Sequence, residues 1–365
     1  MKGFLKRAAA VLLAAVMAVA MFAGCSKSGG KKVNAGGADS MFGILKTASQ
    51  VEKATFDCDI TADIEGTSAK IKLSGVTDGK ATSLSAEVSA GGMSFKFDNA
   101  VVFTDDVVYI NVASVMDEVG SLVKGMGGSL DLDALGITSD WVSFEAEGMF
   151  KKDTSIFETI GKDLDEAYAE VITEKDGTYS ITLSDKDSVK GFLDATKKLL
   201  DDKGDSWAKL MADKANSVDT EKVVNGFVDD VADAIVKAIE EATGEKLSED
   251  DIKELKDSML EETDLSEFDE KMDEDAYKEL IKEFRDQLDD AEAKSLDGSI
   301  DLRTSYAKGV YTIKANAAPN DEDDGAITMV STITEDSSAK VEIPSDAQPL
   351  VDIIAAFFVA AYAAN

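Results

Sequence analysis

The sequence predicts an α+β fold, a single antiparallel sheet of about eleven short strands interrupted by a large block of helices. Three observations carry this. Apolar residues recur at every second position from about Thr55 to Ala113, and again from Ser299 to Ile343. Between Ser184 and Lys294 the spacing changes to i, i+3, i+4, i+7. A period of two marks a strand with one apolar face, and a period near 3.6 marks an amphipathic helix. With 44% apolar residues among 365, the chain has the material for a sizeable core.

The first segment is not part of that fold. Met1–Arg7 carries Lys2, Lys6 and Arg7, and Ala8–Phe22 is apolar without a break. A basic start followed by such a stretch is the pattern of a secretory signal. It falls short of the roughly 20 apolar residues a spanning helix needs. The stretch closes on Phe22-Ala23-Gly24-Cys25, which resembles the lipobox of bacterial lipoproteins, although Leu is usual where Phe22 stands. The resemblance implies that the Cys25 thiol receives a diacylglyceryl group and that cleavage leaves Cys25 as the new N-terminus. The competing reading is cleavage after Ala18-Val19-Ala20, with Cys25 left as a free thiol. Two acyl chains hold a protein stably on a membrane where one is marginal. Ser26–Asp39, rich in Gly, Ser and Lys, has the composition of a flexible tether.

Five strands follow. Phe56, Cys58, Ile60, Ala62 and Ile64 alternate with polar residues, as do Ala69, Ile71 and Leu73 after the turn at Glu65-Gly66-Thr67. Asp78-Gly79 is a hairpin signal. Leu84, Ala86 and Val88 precede Gly91-Gly92, then come Met93, Phe95 and Phe97, and Val107–Val112 ends the meander. Ser114–Val123 reads as a short helix, Gly125–Gly136 as a loop, Trp141–Glu147 as a strand, Ser155–Val171 as a helix and Thr178–Leu183 as a strand. In the helical block, Ser184 with Asp187 resembles a capping box ahead of Phe192, Leu193 and Leu199. Val224, Phe227, Val228, Val231, Ile235 and Ile239 form the next apolar stripe, with Gly244 placed as a C-cap. Ser248 caps a helix through Ile252, Leu255 and Met259, and Tyr277, Leu280, Ile281, Phe284 and Leu288 mark another. Four more strands are expected over Ser299–Ala307, Val310–Ala317, Ala326–Glu335 and Ala339–Ile343, then a helix over Leu350–Ala364 packed on the sheet.

The organisation that results is a signal peptide over 1–24, then the lipidated cysteine, tether and start of the first helix over 25–49. A β-rich part covers 50–183, the helical insert 184–296, and the last strands with the terminal helix 297–365. The signal with its terminal cysteine, the Gly/Lys tether and the meander ending in Asp106-Val107-Val108-Tyr109-Ile110-Asn111-Val112 come in a telling order. A later Trp141-led strand and a closing Val341-Glu342-Ile343-Pro344-Ser345-Asp346-Ala347 complete it. Together they resemble the lipoprotein-carrier family (LolA, LolB and LppX-like proteins), in particular clostridial lipoproteins of that type, over about 50–183 and 297–347. The resemblance implies an unclosed β-barrel of about eleven strands, with helices in its concave face where acyl chains bind. The insert is larger than that family's helical lid.

Composition narrows the function. With 72 acidic against 38 basic residues the formal charge is −34, the wrong sign for binding nucleic acid. The chain has no histidine, which removes Ser-His-Asp and Cys-His triads and HExxH zinc sites. No catalytic residues, cofactor or metal site is expected. Asn320-Asp321-Glu322-Asp323-Asp324-Gly325 begins like a calcium loop, but the twelfth position is Ser331, so an acidic turn is the better reading and a weak calcium site the lesser one. Asp131 and Asp133 before Gly136 fail the same test. Cys58, at an apolar position between carboxylates, reads as a buried inert thiol. Phe95, Phe97, Phe103 and Tyr109 either line a lipid cavity or pack under helices.

The expectation is therefore a non-catalytic, extracytoplasmic protein. It is anchored to the cell membrane through acyl chains on Cys25, in an envelope that suits a Gram-positive bacterium, and binds a lipid or other amphiphile. Its alternative is a surface or scaffold lipoprotein with a filled core that meets a protein partner, whose identity the sequence does not give. Glu249–Glu292 holds much of the acidity, and its solvated faces would keep the body off its own membrane.

Overall fold

A computed structural model describes residues 39–64, 67–125, 136–146, 155–215, 220–244, 246–262, 273–292, 298–319 and 325–363. The expected signal, Cys25 and nearly all of the expected tether lie outside them. So do Asp131 and Asp133 and the acidic turn at Asn320–Asp324.

Helix α1 (Met41–Ser49) leads into a five-strand meander: β1 (Ala54–Ile64), β2 (Thr67–Thr77), β3 (Ala81–Ala90), β4 (Met93–Thr104) and β5 (Val107–Asn111). Next come α2 (Val112–Gly125), β6 (Trp141–Glu145), α3 (Ser155–Ala167), β7 (Thr173–Lys175) and β8 (Thr178–Leu183). The insert supplies α4 (Lys186–Ala215), α5 (Thr220–Thr243), α6 (Glu249–Glu262) and α7 (Glu274–Glu292). The chain ends with β9 (Gly298–Ala307), β10 (Val310–Pro319), β11 (Ile327–Glu335), β12 (Gln348–Pro349) and α8 (Leu350–Ala363). All twelve strands share one unclosed sheet, in the order β12-β6-β5-β4-β3-β2-β1-β11-β10-β9-β8-β7. Pairing is antiparallel except between β12 and β6. The α+β class and the helical interruption are as the sequence predicts.

Three local readings change. Ala339–Ile343 is not a strand: Ala339 and Val341 are buried, but by lying across the sheet's outer face without a ladder partner. The segment must cross because β11 sits beside β1 while β12 sits beside β6, with six strands between β11 and β12. Its alternation comes from packing on a surface, which leaves the same sequence mark as pairing. Two short strands are added. β7 pairs with β8 through a two-residue turn at Asp176-Gly177, both with positive φ (52° and 74°), and β12 is two residues long. Finally, Asp185, not Ser184, caps α4. Its carboxylate accepts from the Ser188 N–H at 2.8 Å and its carbonyl from the Val189 N–H at 3.1 Å. The Ser248 cap is as expected, with Ser248 Oγ accepting from the Asp251 N–H at 3.2 Å and Asp251 accepting in return. Gly244 ends α5 at φ 72°.

Helices meet the sheet near its two ends. On one side α1, α3 and α4 pack with β8 and β9 around Met41, Tyr168, Ile181, Leu183, Leu199 and Trp207. Asp165 of α3 accepts from Ser40 Oγ (2.6 Å) and the Phe42 N–H (3.1 Å), placing a carboxylate on the N-terminus of α1. Asp163 ties α3 to α4, accepting from Trp207 Nε1 (2.9 Å) and facing Lys203 Nζ (2.8 Å). Helix α7 lies along α4, with Ile281 over Gly204. On the other side α8, packed against β6 and β12, carries α5 through Val231, Ile235 and Ala355, and α6 packs on α5. The insert thus runs from β8 to the helix beside β6, linking by side-chain packing two ends that no hydrogen bonds join.

Candidate functional site: an apolar inner face half covered by helix α1

Directly paired residues of an antiparallel sheet point to the same side, so register alone defines the faces. One row runs Ile181, Leu302, Ala315, Met329, Ile60, Ile71, Val88 and Phe95, from β8 across to β4. The flanking rows add Cys58, Leu73, Ala86 and Phe97 on one side, and Ala62, Ala69, Ala90 and Met93 on the other. This is a continuous apolar inner face eight strands wide.

Among the described residues its covering stops partway. Helix α1 lies on the β1, β9, β10 and β11 portion: Ile44 and Ala48 bury Phe56, Tyr311 and Ile333, and Leu45 packs over Cys58, Ile60, Ile313 and Met329. Ile60 and Met329 are accordingly 7% and 2% exposed. One strand further, Ile71 rises to 39%, Val88 to 36% and Met93 to 57%. Phe95 and Phe97 are half-buried. Helix α2 packs against β4 and β6, beside this open part. Each methylene taken from water is worth about 0.8 kcal/mol, so an uncovered row of this kind is a standing attraction for hydrocarbon.

Of the four aromatics singled out in the sequence, Phe95, Phe97 and Phe103 share the inner face. Tyr109 does not. It pairs with Val102 and packs on the outer face with Ala81, Trp141 and Val341. Alternation gives the spacing within β5 but not its phase relative to β4. Ile71 and Val88, which the sequence marks only as strand residues, turn out to be the exposed centre of the open rows.

Cys58 is fully buried and unpaired by any disulfide, and burial, helped by the Asp59 charge, pushes its thiol up to about 11. At neutral pH it is a thiol, not a nucleophile. Among the described residues no cluster of Cys, Asp and Glu is placed to hold a metal ion. No described helix is long and apolar enough to cross a membrane. A second recess, about 510 Å³ between α1 and α3, has mixed walls of Phe42, Gly161, Lys46, Lys162, Asp165 and Glu166, less suited to hydrocarbon.

Compared with known proteins, the chain matches no family model, no curated protein and no solved structure. The resemblance to carrier lipoproteins therefore rests on this chain's own residues.

Proposed function

We propose that this is a lipid-anchored envelope protein that holds an acyl chain or other amphiphile against the open part of its inner face. The observation that carries the reading is the step in exposure between β1 and β2. A row of paired apolar residues passes from full burial at Ile60 to open at Ile71 and Val88, with no change in chemical character. The Phe22-Ala23-Gly24-Cys25 signal supports the anchor, and the resemblance to carrier lipoproteins supports the ligand class. Purification of the membrane-extracted protein followed by mass spectrometry of bound lipid tests it. Stoichiometric lipid is expected in the wild type. Val88→Glu, whose carboxylate would face an acyl chain, should lose it while melting within a few degrees of wild type. Lipid-free wild-type protein, or unchanged lipid in Val88→Glu, would refute the binding reading. The anchor is tested separately, by palmitate labelling of Cys25→Ala, in which incorporation should vanish.

One observation favours the second reading, a scaffold that meets a protein partner. Leu280 and Phe284, one turn apart on acidic α7, are 49% and 51% exposed. A partner seated there would be lost on Leu280→Ser with Phe284→Ser, and bound lipid would be untouched.

A further inference from the structure

The opposite face of the sheet carries a different kind of recess. Where the segment 336–347 crosses it, a crevice of about 400 Å³ opens between strap and strands, near the small end of ligand sites in general. Register sets its floor in two rows. Asp57, Ser74 and Ser85 stand side by side on β1, β2 and β3, and Thr55, Val76 and Ser83 form the next row. Val341 projects from the strap onto Val76 and Val102, with Lys340 and Glu342 on either side of it.

Two observations set this crevice apart from an ordinary sheet surface. First, the ladder between β3 and β4 is broken at its edge. Asp98, Asn99 and Ala100 stand opposite Ser85 alone, Asn99 takes φ 47°, and its N–H donates to Ser85 Oγ at 2.8 Å. A bulge of this kind re-aims a side chain, and a non-glycine residue at positive φ is held there at a cost. Here the residue so placed lines the crevice. Second, among the described residues the side chains of Thr55, Asp57, Ser74, Ser83, Asn99 and Glu342 have no hydrogen bond or ion pair within the protein. Three of these are half-buried hydroxyls, so their partner is water that a ligand can displace.

The arrangement selects a ligand class. Hydroxyl, amide and carboxylate groups repeat at the strand spacing of about 4.8 Å, the breadth of a sugar ring. Val76 and Val341, packed against each other, form one apolar wall of the crevice for a ring's C–H face. Two carboxylates against one lysine, within a chain of net −34, disfavour an anion. We infer that this crevice binds a neutral or amine-bearing saccharide of one or two rings. It uses the face opposite the amphiphile site, so either assignment can fail alone.

The test uses the full mature chain in a sugar-free detergent, with saturation-transfer NMR and titration calorimetry. The probes are the N-acetylglucosamine dimer, the glucosamine dimer and glucuronate. Both dimers bind and glucuronate does not. Asn99→Gly, whose glycine accepts the positive φ, and Ser74→Ala each weaken binding by about tenfold, the worth of one lost hydrogen bond. Neither lowers the melting temperature, and Ser74→Ala keeps the comparison readable should the first variant disturb the bulge. No binding of either dimer, a preference for glucuronate, or affinity unchanged in both variants overturns the assignment.

Discussion

Gly75 shows how much a single missing side chain decides. It stands on β2 opposite Phe56, and a Cβ built there would run into the Phe56 ring and the Ser83 carbonyl. The glycine lets Phe56 lie flat across its neighbour and reach Ile44 and Tyr311 under α1. Gly75→Ala is therefore expected to lower stability by about 1–3 kcal/mol through overpacking. It should appear as a lower urea midpoint with an unchanged slope, and a neutral result would mean the ring has room to move. Gly75 was legible in the sequence only as a small residue inside a strand. A glycine there marks a bulge or a close approach, and nothing local tells which. Tyr109 is the converse case, a residue whose type was read correctly and whose face was set by register with β4.

Asp78 works at the level of elements. The Asp78-Gly79 pair marks a hairpin in the sequence, and the structure gives its carboxylate a second duty. It accepts from the Lys80 and Ala81 N–H groups (3.0 and 3.1 Å), closing the β2–β3 turn, and from the Val341 N–H (3.2 Å), pinning the strap. Burial pushes this carboxyl up, but the three backbone donors and the Lys53 charge outweigh it and hold it below the ordinary value. Asp78→Ala should cost about 1–3 kcal/mol and speed amide exchange at Val341, whereas Asp78→Asn, keeping one acceptor oxygen, should cost less. No loss in either variant would mean that the strap is held by Val341 packing alone. Strand positions were legible here because alternation is a local property. The strap reads as a strand because Ala339 and Val341 alternate for a surface they pack on, and Val341 lies 263 residues in sequence from the Asp78 that pins it.

Across the whole molecule, the absence of histidine sets the response to pH. Asp78, Asp163, Asp185, Asp251 and Asp336 all have carboxyls lowered from their ordinary values. For Asp163, burial acts upward, and hydrogen bonds from Lys203 and Trp207 outweigh it. A lowered carboxyl contributes stability that is complete above its unfolded value, near about 4, and is lost as pH falls through the folded value. Thermal melts at fixed ionic strength should thus be flat from about pH 5 to 8, declining in acid and again above about pH 9, where the unfolded Cys58 thiol ionises while burial keeps the folded one protonated. A step near pH 6–7 would contradict this. The order of strands could not have been read from the sequence. Periodicity names each strand, but the insertion of β11 beside β1 joins residues such as Ile60 and Met329 that lie at opposite ends of the chain.

That same junction bears on how the molecule is made. Until β11 is synthesised, β1 has an open edge, and the meander β2–β6 and the group β7–β10 have no strand between them to join the halves. A chain emerging from its N-terminus would hold a single-sided apolar sheet, edge bare, through the synthesis of about 215 further residues after β5. Such an intermediate is safest if it is never allowed to form. The topology therefore favours collapse only after the last strands have arrived. The end that is made first waits longest for its neighbour.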